Sequence, residues 1–192
     1  MDWEGRVALV TGHTGFKGSW LSIYLSFLGA EVHGFALDPK SDPNLFRLAA
    51  VDEFLLTDSR SDINNFETLQ NCIEEIRPRV VFHLAAQSLV EEGYKNPTET
   101  WATNVLGTVK VLDACRLSES VEAVVVVTTD KVYKPVNYES GFAESDRLGG
   151  IDPYSASKSA TELVVSSYDK SFPVNASSKK LNYSTVRAGN VI

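Results

Sequence analysis

The chain has 192 residues, of which 43% are hydrophobic and 22% are charged, a composition typical of a globular protein and not of a disordered one. Its length suits one substantial domain, residues 1–192, better than two. A net charge of -7 argues against a nucleic-acid partner, which would require a basic surface patch.

The sequence predicts neither a membrane span nor secretion. No stretch approaches the roughly 20 apolar residues that cross a bilayer, and the N-terminal residues lack the basic region and apolar run of a signal peptide. Cys72 and Cys115 lie in apolar helical patterns without a partner at metal-ligand spacing, so we expect free thiols and no metal. These features predict a cytoplasmic location.

Valine-rich runs alternate along the chain with longer amphipathic segments, which predicts a parallel sheet with helices on both faces. The fold class is therefore α/β, a Rossmann-type doubly wound sheet. The predicted strands are Arg6–Thr11, Glu31–Leu37, Glu53–Thr57, Val80–Ala85, Ala123–Thr128 and Asn182–Arg187. The predicted helices are Gly18–Leu28, Asn65–Ile76 with Asn65 as N-cap, Asn104–Leu117 and Tyr154–Ser171, and the main loops are Asp38–Asn44 and Lys134–Pro153.

A glycine-rich segment with the spacing G-x-x-G-x-x-G follows the first predicted strand and opens the first helix. Glycines there permit a tight turn and a close approach of backbone amides to a pyrophosphate, which the helix N-terminus attracts. The alternative is that the glycines serve only the turn and helix packing. The dinucleotide interpretation assigns cofactor contacts to Gly12, Thr14, Gly15, Phe16, Lys17 and Gly18.

Asp38 favours the dinucleotide interpretation because it ends the second predicted strand, twenty residues after Gly18. A carboxylate there accepts hydrogen bonds from the adenosine ribose and repels a 2′-phosphate, so NAD is favoured over NADP, although Lys40 lies nearby. Asp62 and Ile63 either contact the adenine or form a plain turn before the next helix.

Tyr154 and Lys158 form a Tyr-x-x-x-Lys pair, whose spacing places both side chains on one helix face. A phenol titrates near pH 10, so its use as a base requires a neighbouring cation, and Lys158 is expected to lower its pKa. Such a pair alone is more often an ordinary surface feature. Its combination with the glycine loop, with Asp38 and with a polar strand end favours a catalytic role.

That polar strand end is Thr128-Thr129-Asp130-Lys131, at the carboxyl edge where doubly wound sheets bind ligands. Next to it, the backbone of Leu84, Ala85, Ala86 and Gln87 is expected to pass beside the nicotinamide. His83 is expected to be structural. Asn104 either caps a helix or braces the active-site backbone.

These segments together resemble the extended short-chain dehydrogenases/reductases and, among them, the CDP-glucose 4,6-dehydratases. The likeness runs nearly end to end. The motifs that carry it are Val10 to Leu21, Phe82 to Gln87, Thr129-Asp130-Lys131, Asp152-Pro153-Tyr154-Ser155 and Arg187-Ala188-Gly189-Asn190-Val191.

The resemblance implies that a nucleotide-activated glucose is oxidised at C4 by NAD, loses water across C5 and C6, and regains the hydride at C6. It assigns to Tyr154 the C4 hydroxyl proton, to Lys158 the ribose, to Thr129 a hydrogen bond to the same hydroxyl and to Asp130 protonation of the departing C6 hydroxyl. Lys131 stands where the dTDP-glucose relatives carry a C5 base. Lys131 could take that role only if desolvation and cationic neighbours lowered its pKa.

The resemblance also implies a homodimer or higher homo-oligomer through the helices that begin at Asn104 and Tyr154, and a C-terminal sugar-nucleotide domain that this chain does not contain. The alternatives are a nucleotide-sugar epimerase, which needs no acid at C6, and a non-catalytic dinucleotide-binding module. Glu91 and Glu92, if turned inward, would repel the phosphates of the substrate. A structure with Tyr154 and the 12–18 turn on opposite sides would exclude the whole interpretation.

Overall fold

A computed structural model describes residues 3–135 and 141–190 of the chain. Residues 136–140 of the predicted Lys134–Pro153 loop and Val191 of the last motif lie outside the described residues. The described residues form a sheet of six parallel strands. The strands are β1 (Val7–Thr11), β2 (Glu31–Ala36), β3 (Thr57–Arg60), β4 (Val80–His83), β5 (Ala123–Thr129) and β6 (Asn182–Ala188).

The strand order is β3-β2-β1-β4-β5-β6, which is that of a Rossmann fold and confirms the predicted fold class. The chain changes direction across the sheet between β1 and β4. Ligands of such sheets bind in the crevice at the carboxyl ends of the strands at this point. The topology therefore places the ends of β1 and β4 beside each other, where the glycine-rich segment and the segment after His83 meet.

Each of the four predicted helices is present, with ends shifted by no more than a few residues. Within the described residues there are also three short helices that were not predicted, two 3-10 turns and a π-helical segment. The helices are α1 (Phe16–Phe27), α2 (Leu45–Leu48), α3 (Phe66–Ile76), α4 (Val90–Lys95), α5 (Pro97–Trp101), α6 (Gly107–Leu117) and α7 (Pro153–Ser171); the 3-10 turns are Val51–Phe54 and Asp130–Val132, and the π segment is Ala102–Leu106.

The side chains of β1 show why both faces of the sheet are covered. Leu9 is fully buried in the core cluster beneath α3 and α6, whereas Ala8 and Val10 are fully buried in a second cluster with Leu25 of α1. Successive residues of a strand point to opposite faces. A strand that is apolar at every position therefore requires helices on both sides.

The prediction of the third strand at Glu53–Thr57 is wrong. The apolar part of that segment belongs to the 3-10 turn Val51–Phe54 and the residues after it, and β3 begins only at Thr57. β3 is the edge strand of the sheet, and three of its four residues are exposed. Its sequence is therefore polar and lacks the apolar run from which the other strands were predicted.

The described residues contain no helix that is both long enough and apolar enough to cross a membrane.

Candidate active site

The glycine-rich segment forms a tight turn between β1 and α1. Gly12 has a φ of +75°, and a Cβ atom on it would lie 2.6 Å from the backbone nitrogen of Ala85. A Cβ atom on Gly18 would lie 2.1 Å from the carbonyl oxygen of Gly12. Backbone conformation and space both exclude larger side chains here, so the turn leaves a cradle of bare backbone.

The first turn of α1 faces this cradle. Its N-cap is Gly15, and no side chain caps it, so hydrogen-bond donors at the helix start are available to an anion. The Thr14 hydroxyl donates to the carbonyl of Leu37 at 2.9 Å and ties the turn to the chain just after β2. The geometry fits a pyrophosphate held by backbone amides.

Asp38 lies two residues beyond the end of β2, and its side chain is 84% exposed. Arg60 of β3 approaches it, with 3.5 Å between Nη1 and Oδ1. The same guanidinium donates to Asp58 at 2.6 Å and lies 4.6 Å from the ring centre of Phe46. The carboxylate thus lies just beyond the carboxyl end of β2, and its charge is partly balanced by an arginine that the sequence did not indicate.

The contacts of Asp62 and Ile63 favour the plain turn over the adenine contact. Oδ1 of Asp62 accepts from the backbone N–H of Asn64 at 2.8 Å, which is a side-chain turn before a helix. Ile63 is buried in the core, where a Cβ atom added at Gly107 would meet its side chain. Asn65 caps α3 as predicted, accepting from the Thr68 N–H at 3.2 Å.

The segment after β4 is fixed by buried hydrogen bonds. The ring of His83 bonds Thr11 at 2.7 Å and Thr108 at 3.0 Å, and burial together with the charge of Lys158 lowers its pKa to about 3. His83 is thus a neutral structural residue, as expected. The backbone nitrogen of Ala85 donates to the Thr11 hydroxyl at 3.3 Å, which holds the Leu84 to Gln87 segment against the glycine turn.

Asn104 does not cap a helix, because it lies inside the π segment Ala102–Leu106 and α6 begins only at Gly107. Its side chain instead braces the segment after β4. Oδ1 accepts from the Gln87 backbone N–H at 2.8 Å, and Nδ2 donates to the Gln87 carbonyl at 3.0 Å. Nδ2 also lies 2.9 Å from Oγ of Ser157, which stands between Tyr154 and Lys158 on α7. Of the two roles predicted for Asn104, the contacts favour the second.

Tyr154 and Lys158 lie in the first two turns of α7, whose N-cap Asp152 accepts from the Ser155 N–H at 3.0 Å. Both side chains are almost fully buried. Nζ of Lys158 donates to the carbonyl of Val127, near the carboxyl end of β5, and because the strands are parallel this is also the sheet edge at which the glycine turn follows β1. Tyr154, Lys158 and the glycine turn therefore lie on the same side of the molecule.

The pKa of Tyr154 is raised, opposite to the expected direction. Burial is the main cause, and the nearby carboxylates of Asp130 and Asp152 add to it, while a hydrogen bond with Thr129 opposes it. Nζ of Lys158 donates to the carbonyl of Val127 at 2.9 Å. In this arrangement Tyr154 is a neutral phenol.

The residues at the end of β5 lie where the sequence predicted. Thr129 is buried, and its hydroxyl donates to Oδ1 of Asp130 at 3.0 Å. The Thr128 hydroxyl is directed away, donating to Glu162 of α7 at 2.5 Å. Thr129, Asp130 and Tyr154 thus form one compact group.

Lys131 lacks the surroundings that would make it a base. Its side chain is 39% exposed, and Nζ lies 3.6 Å from Asp130 and donates to Asn190 at 2.8 Å. Lys131 is therefore partly solvated and lies beside a carboxylate, whereas the role of C5 base would require desolvation and cationic neighbours.

Glu91 and Glu92 do not point towards the site. Glu91 is exposed and pairs with Lys95 at 2.7 Å, and Glu92 accepts from Asn96 at 2.5 Å, both along the outer side of α4. Within residues 3–135 and 141–190, no group of three or more His, Cys, Asp or Glu side chains could hold a metal ion.

Two charged residues near the site were missed by sequence reasoning. Glu162 is buried on α7, and Arg187 of β6 bonds it with 2.9 Å between Nη2 and Oε2. A glutamate one turn after Lys158 in a largely buried helix is a signal that could have been used. Its partner lies 25 residues away in sequence and could be found only with the sheet order known.

Comparison with known proteins identifies the family. The family model for GDP-mannose 4,6 dehydratase matches residues 9–190. The CDP-glucose 4,6-dehydratase of Salmonella typhimurium is 45% identical over 192 residues, covering 99% of this chain and 53% of that protein. The dTDP-D-glucose 4,6-dehydratase of Dictyostelium discoideum is 32% identical over 95% of this chain and 43% of that protein. The chain spans about half the length of the curated relatives it matches.

Solved structures agree on the fold. A UDP-glucose 4-epimerase of Thermus thermophilus in complex with NAD has a TM-score of 0.79 and 28% identity, covering 94% of this chain and 54% of that one. A dTDP-glucose 4,6-dehydratase of Bacillus anthracis in complex with NAD has a TM-score of 0.75 at 24% identity, covering the same 94% and 54%. With the glycine turn and the Tyr154 group at one sheet edge, these matches confirm the predicted relationship: the chain belongs to the GDP-mannose 4,6 dehydratase family.

Proposed function

We propose that this chain is the NAD-binding Rossmann domain of a nucleotide-sugar 4,6-dehydratase, a lyase that converts CDP-glucose to its 4-keto-6-deoxy product. One observation carries the proposal: the bare-backbone turn and the group of Thr129, Asp130 and Tyr154 share one sheet edge. The 45% identity to a CDP-glucose 4,6-dehydratase favours CDP-glucose among the activated sugars.

The donor set fits NAD. The uncapped start of α1 and the glycine cradle suit the pyrophosphate, Asp38 suits the ribose hydroxyls, and the segment after β4 runs alongside the nicotinamide end. Bound there, NAD would supply the hydride acceptor for oxidation at C4 and the hydride donor for reduction at C6. Lys158, buried beneath the same edge, would hold the nicotinamide ribose.

Proton transfer falls to the group at the end of β5. Tyr154 takes the proton of the C4 hydroxyl, and the Thr129 hydroxyl forms a hydrogen bond with the same C4 hydroxyl in place of its bond to Asp130. Because burial raises the pKa of Tyr154, the phenol needs the positive charge of Lys158 to act as a base near neutral pH. Asp130, whose side chain is 53% exposed and so open to a substrate, would protonate the departing C6 hydroxyl.

Lys131 is the candidate base at C5. Its contacts with Asp130 and Asn190 hold it beside the acid. The bound sugar would have to exclude water and displace the carboxylate from Lys131 before the lysine could accept a proton.

The decisive experiment is product analysis with the full-length protein, NAD and CDP-, dTDP- or GDP-activated sugars. We expect a 4-keto-6-deoxy product, fastest with CDP-glucose, identified by NMR. The Asp130→Asn variant should lose at least tenfold in turnover, because general acids contribute about 100-fold or more. A C4 epimer without elimination would identify an epimerase instead, and NAD binding without any product would identify a binding module.

The proposal also covers the association of subunits and the cellular location of the protein. Leu106 of the π segment and Leu163 of α7 are 57% and 64% exposed, which supports a homodimer, or a higher homo-oligomer, built on α6 and α7. Cys72 and Cys115 are free thiols, and this supports a reducing, cytoplasmic location. A single monomer peak in gel filtration at micromolar concentration would contradict the dimer.

A further inference from the structure

Glu162 is a buried carboxylate on α7, one turn after Lys158, with a side chain only 5% exposed. It accepts hydrogen bonds from four donor groups. They are the Thr128 hydroxyl at 2.5 Å, the Thr185 hydroxyl at 2.9 Å, Nε of Arg187 at 3.1 Å and Nη2 of Arg187 at 2.9 Å. A buried charge persists only where it is paired and hydrogen-bonded, and the Glu162 carboxylate meets both conditions.

The donors come from the elements that surround the catalytic group. Thr128 is the residue before Thr129 in β5, and Arg187 lies in β6. Nη1 of Arg187 also donates to the Tyr133 hydroxyl and to the carbonyl of Glu144, both at 2.9 Å. Through these bonds Glu162 connects α7 to the ends of two strands and to the segment that leads back into α7.

The negative charge of Glu162 also affects the ionisation of Lys158. Burial is the main cause that lowers the pKa of Lys158 to about 8, Lys17 of α1 lowers it further, and Glu162 raises it. His83 of β4 faces the same lysine and stays neutral, since its own pKa is about 3. Arg187 lies beyond Glu162 and balances it from the strand side.

We propose that Glu162 is a positioning residue for the Tyr154 and Lys158 pair, fixing α7 to the ends of β5 and β6 and keeping a negative charge one turn from the lysine ammonium group. The catalytic importance of this role rests on the proposed function. The effect on Lys158 itself does not.

The test follows the titration of Lys158 in the 192-residue chain by NMR, with carbon-labelled lysine and a Lys158→Met variant to assign the signal. In Glu162→Gln the ratio of amine to ammonium at Lys158 should rise about tenfold at a given pH, because an opposite charge has been removed. Glu162→Asp, which retains the charge at a greater distance, should fall between the two. Thr185→Val removes one donor but not the charge, and should titrate as the wild type does.

An unchanged Lys158 midpoint in folded Glu162→Gln would overturn the proposal. If that variant does not fold, Glu162→Asp decides: a midpoint equal to the wild type overturns it and a lower midpoint supports it. Because this signal requires no turnover, it is independent of product analysis. A missing 4-keto-6-deoxy product would refute the proposed function and leave the link between Glu162 and Lys158 standing.

Discussion

Gly18 shows how strongly a single residue can be determined by its contacts. It lies in α1, where alanine would normally be preferred over glycine by about 1 kcal/mol. The space around it decides otherwise, because a Cβ atom would lie 2.1 Å from the Gly12 carbonyl oxygen. That clash involves backbone of the cofactor turn, which cannot move without opening the cradle.

We therefore expect Gly18→Ala to destabilise the chain by about 1–3 kcal/mol, the usual cost of overpacking, and to weaken NAD binding. Urea unfolding and a calorimetric NAD titration measure the two effects. Gly141→Ala is the matched control, because a Cβ atom there has nothing within 4 Å. If Gly18→Ala kept the stability and the NAD affinity of the wild type, the backbone of the turn would have to be mobile enough to accept a Cβ atom.

Sequence patterns predicted the residues that lie in the apolar core and those whose contacts are with near neighbours in the sequence. The valine-rich strands, the Asn65 cap and the glycine turn each follow from a few consecutive residues. Glu162 could not be recognised in this way, since its meaning depends on Thr128, Thr185 and Arg187, which approach it only through the sheet. The raised pKa of Tyr154 likewise depends on a burial that no spacing reveals.

At the scale of elements, strand prediction failed for β3, which has a neighbouring strand on one side only. β3 lies at the edge of the sheet and has the polar sequence Thr57 to Arg60, so the apolar residues just before it were mistaken for the strand. The helical turns α4 and α5 are short, and the following π segment breaks the regular spacing around Asn104. That irregularity coincides with the side chain that braces Gln87, as is common for π turns at functional sites.

The N-caps of α3 and α7 allow one prediction about these elements. Asp152 and Asn65 make the same type of bond, to the N–H groups of Ser155 and Thr68. We expect Asp152→Ala and Asn65→Ala each to cost about 1 kcal/mol in urea unfolding. In hydrogen exchange, the first turn of α7 should lose protection in Asp152→Ala alone. Equal loss in both variants would show that the two helices unfold together.

At the scale of the whole molecule, all three histidines are less basic in the folded chain than in the unfolded one. Burial is the first cause each time: it lowers the pKa of His13 and of His33, and it lowers the pKa of His83 to about 3. An unfolded histidine titrates near pH 6.5. Below that pH the unfolded histidines bind more protons than the folded ones, so the contribution of the histidines to folding stability is fully present above pH 6.5 and is lost as the pH is lowered towards the folded values.

The slope of this loss should approach about 1.4 kcal/mol per pH unit for each histidine that stays neutral when folded. Urea unfolding between pH 7.5 and about 5 measures it above the range in which most carboxylates titrate. His83→Gln, although less stable overall, should lose nearly one histidine's share of the slope, because His83 is fully buried. His33→Gln should lose less, because His33 is only half-buried and its neutral form is less strongly favoured. If His83→Gln kept the wild-type slope, the acid sensitivity of the fold would have to arise from other groups, and the neutral His83 that links β1, β4 and α6 would not be the source of the pH dependence.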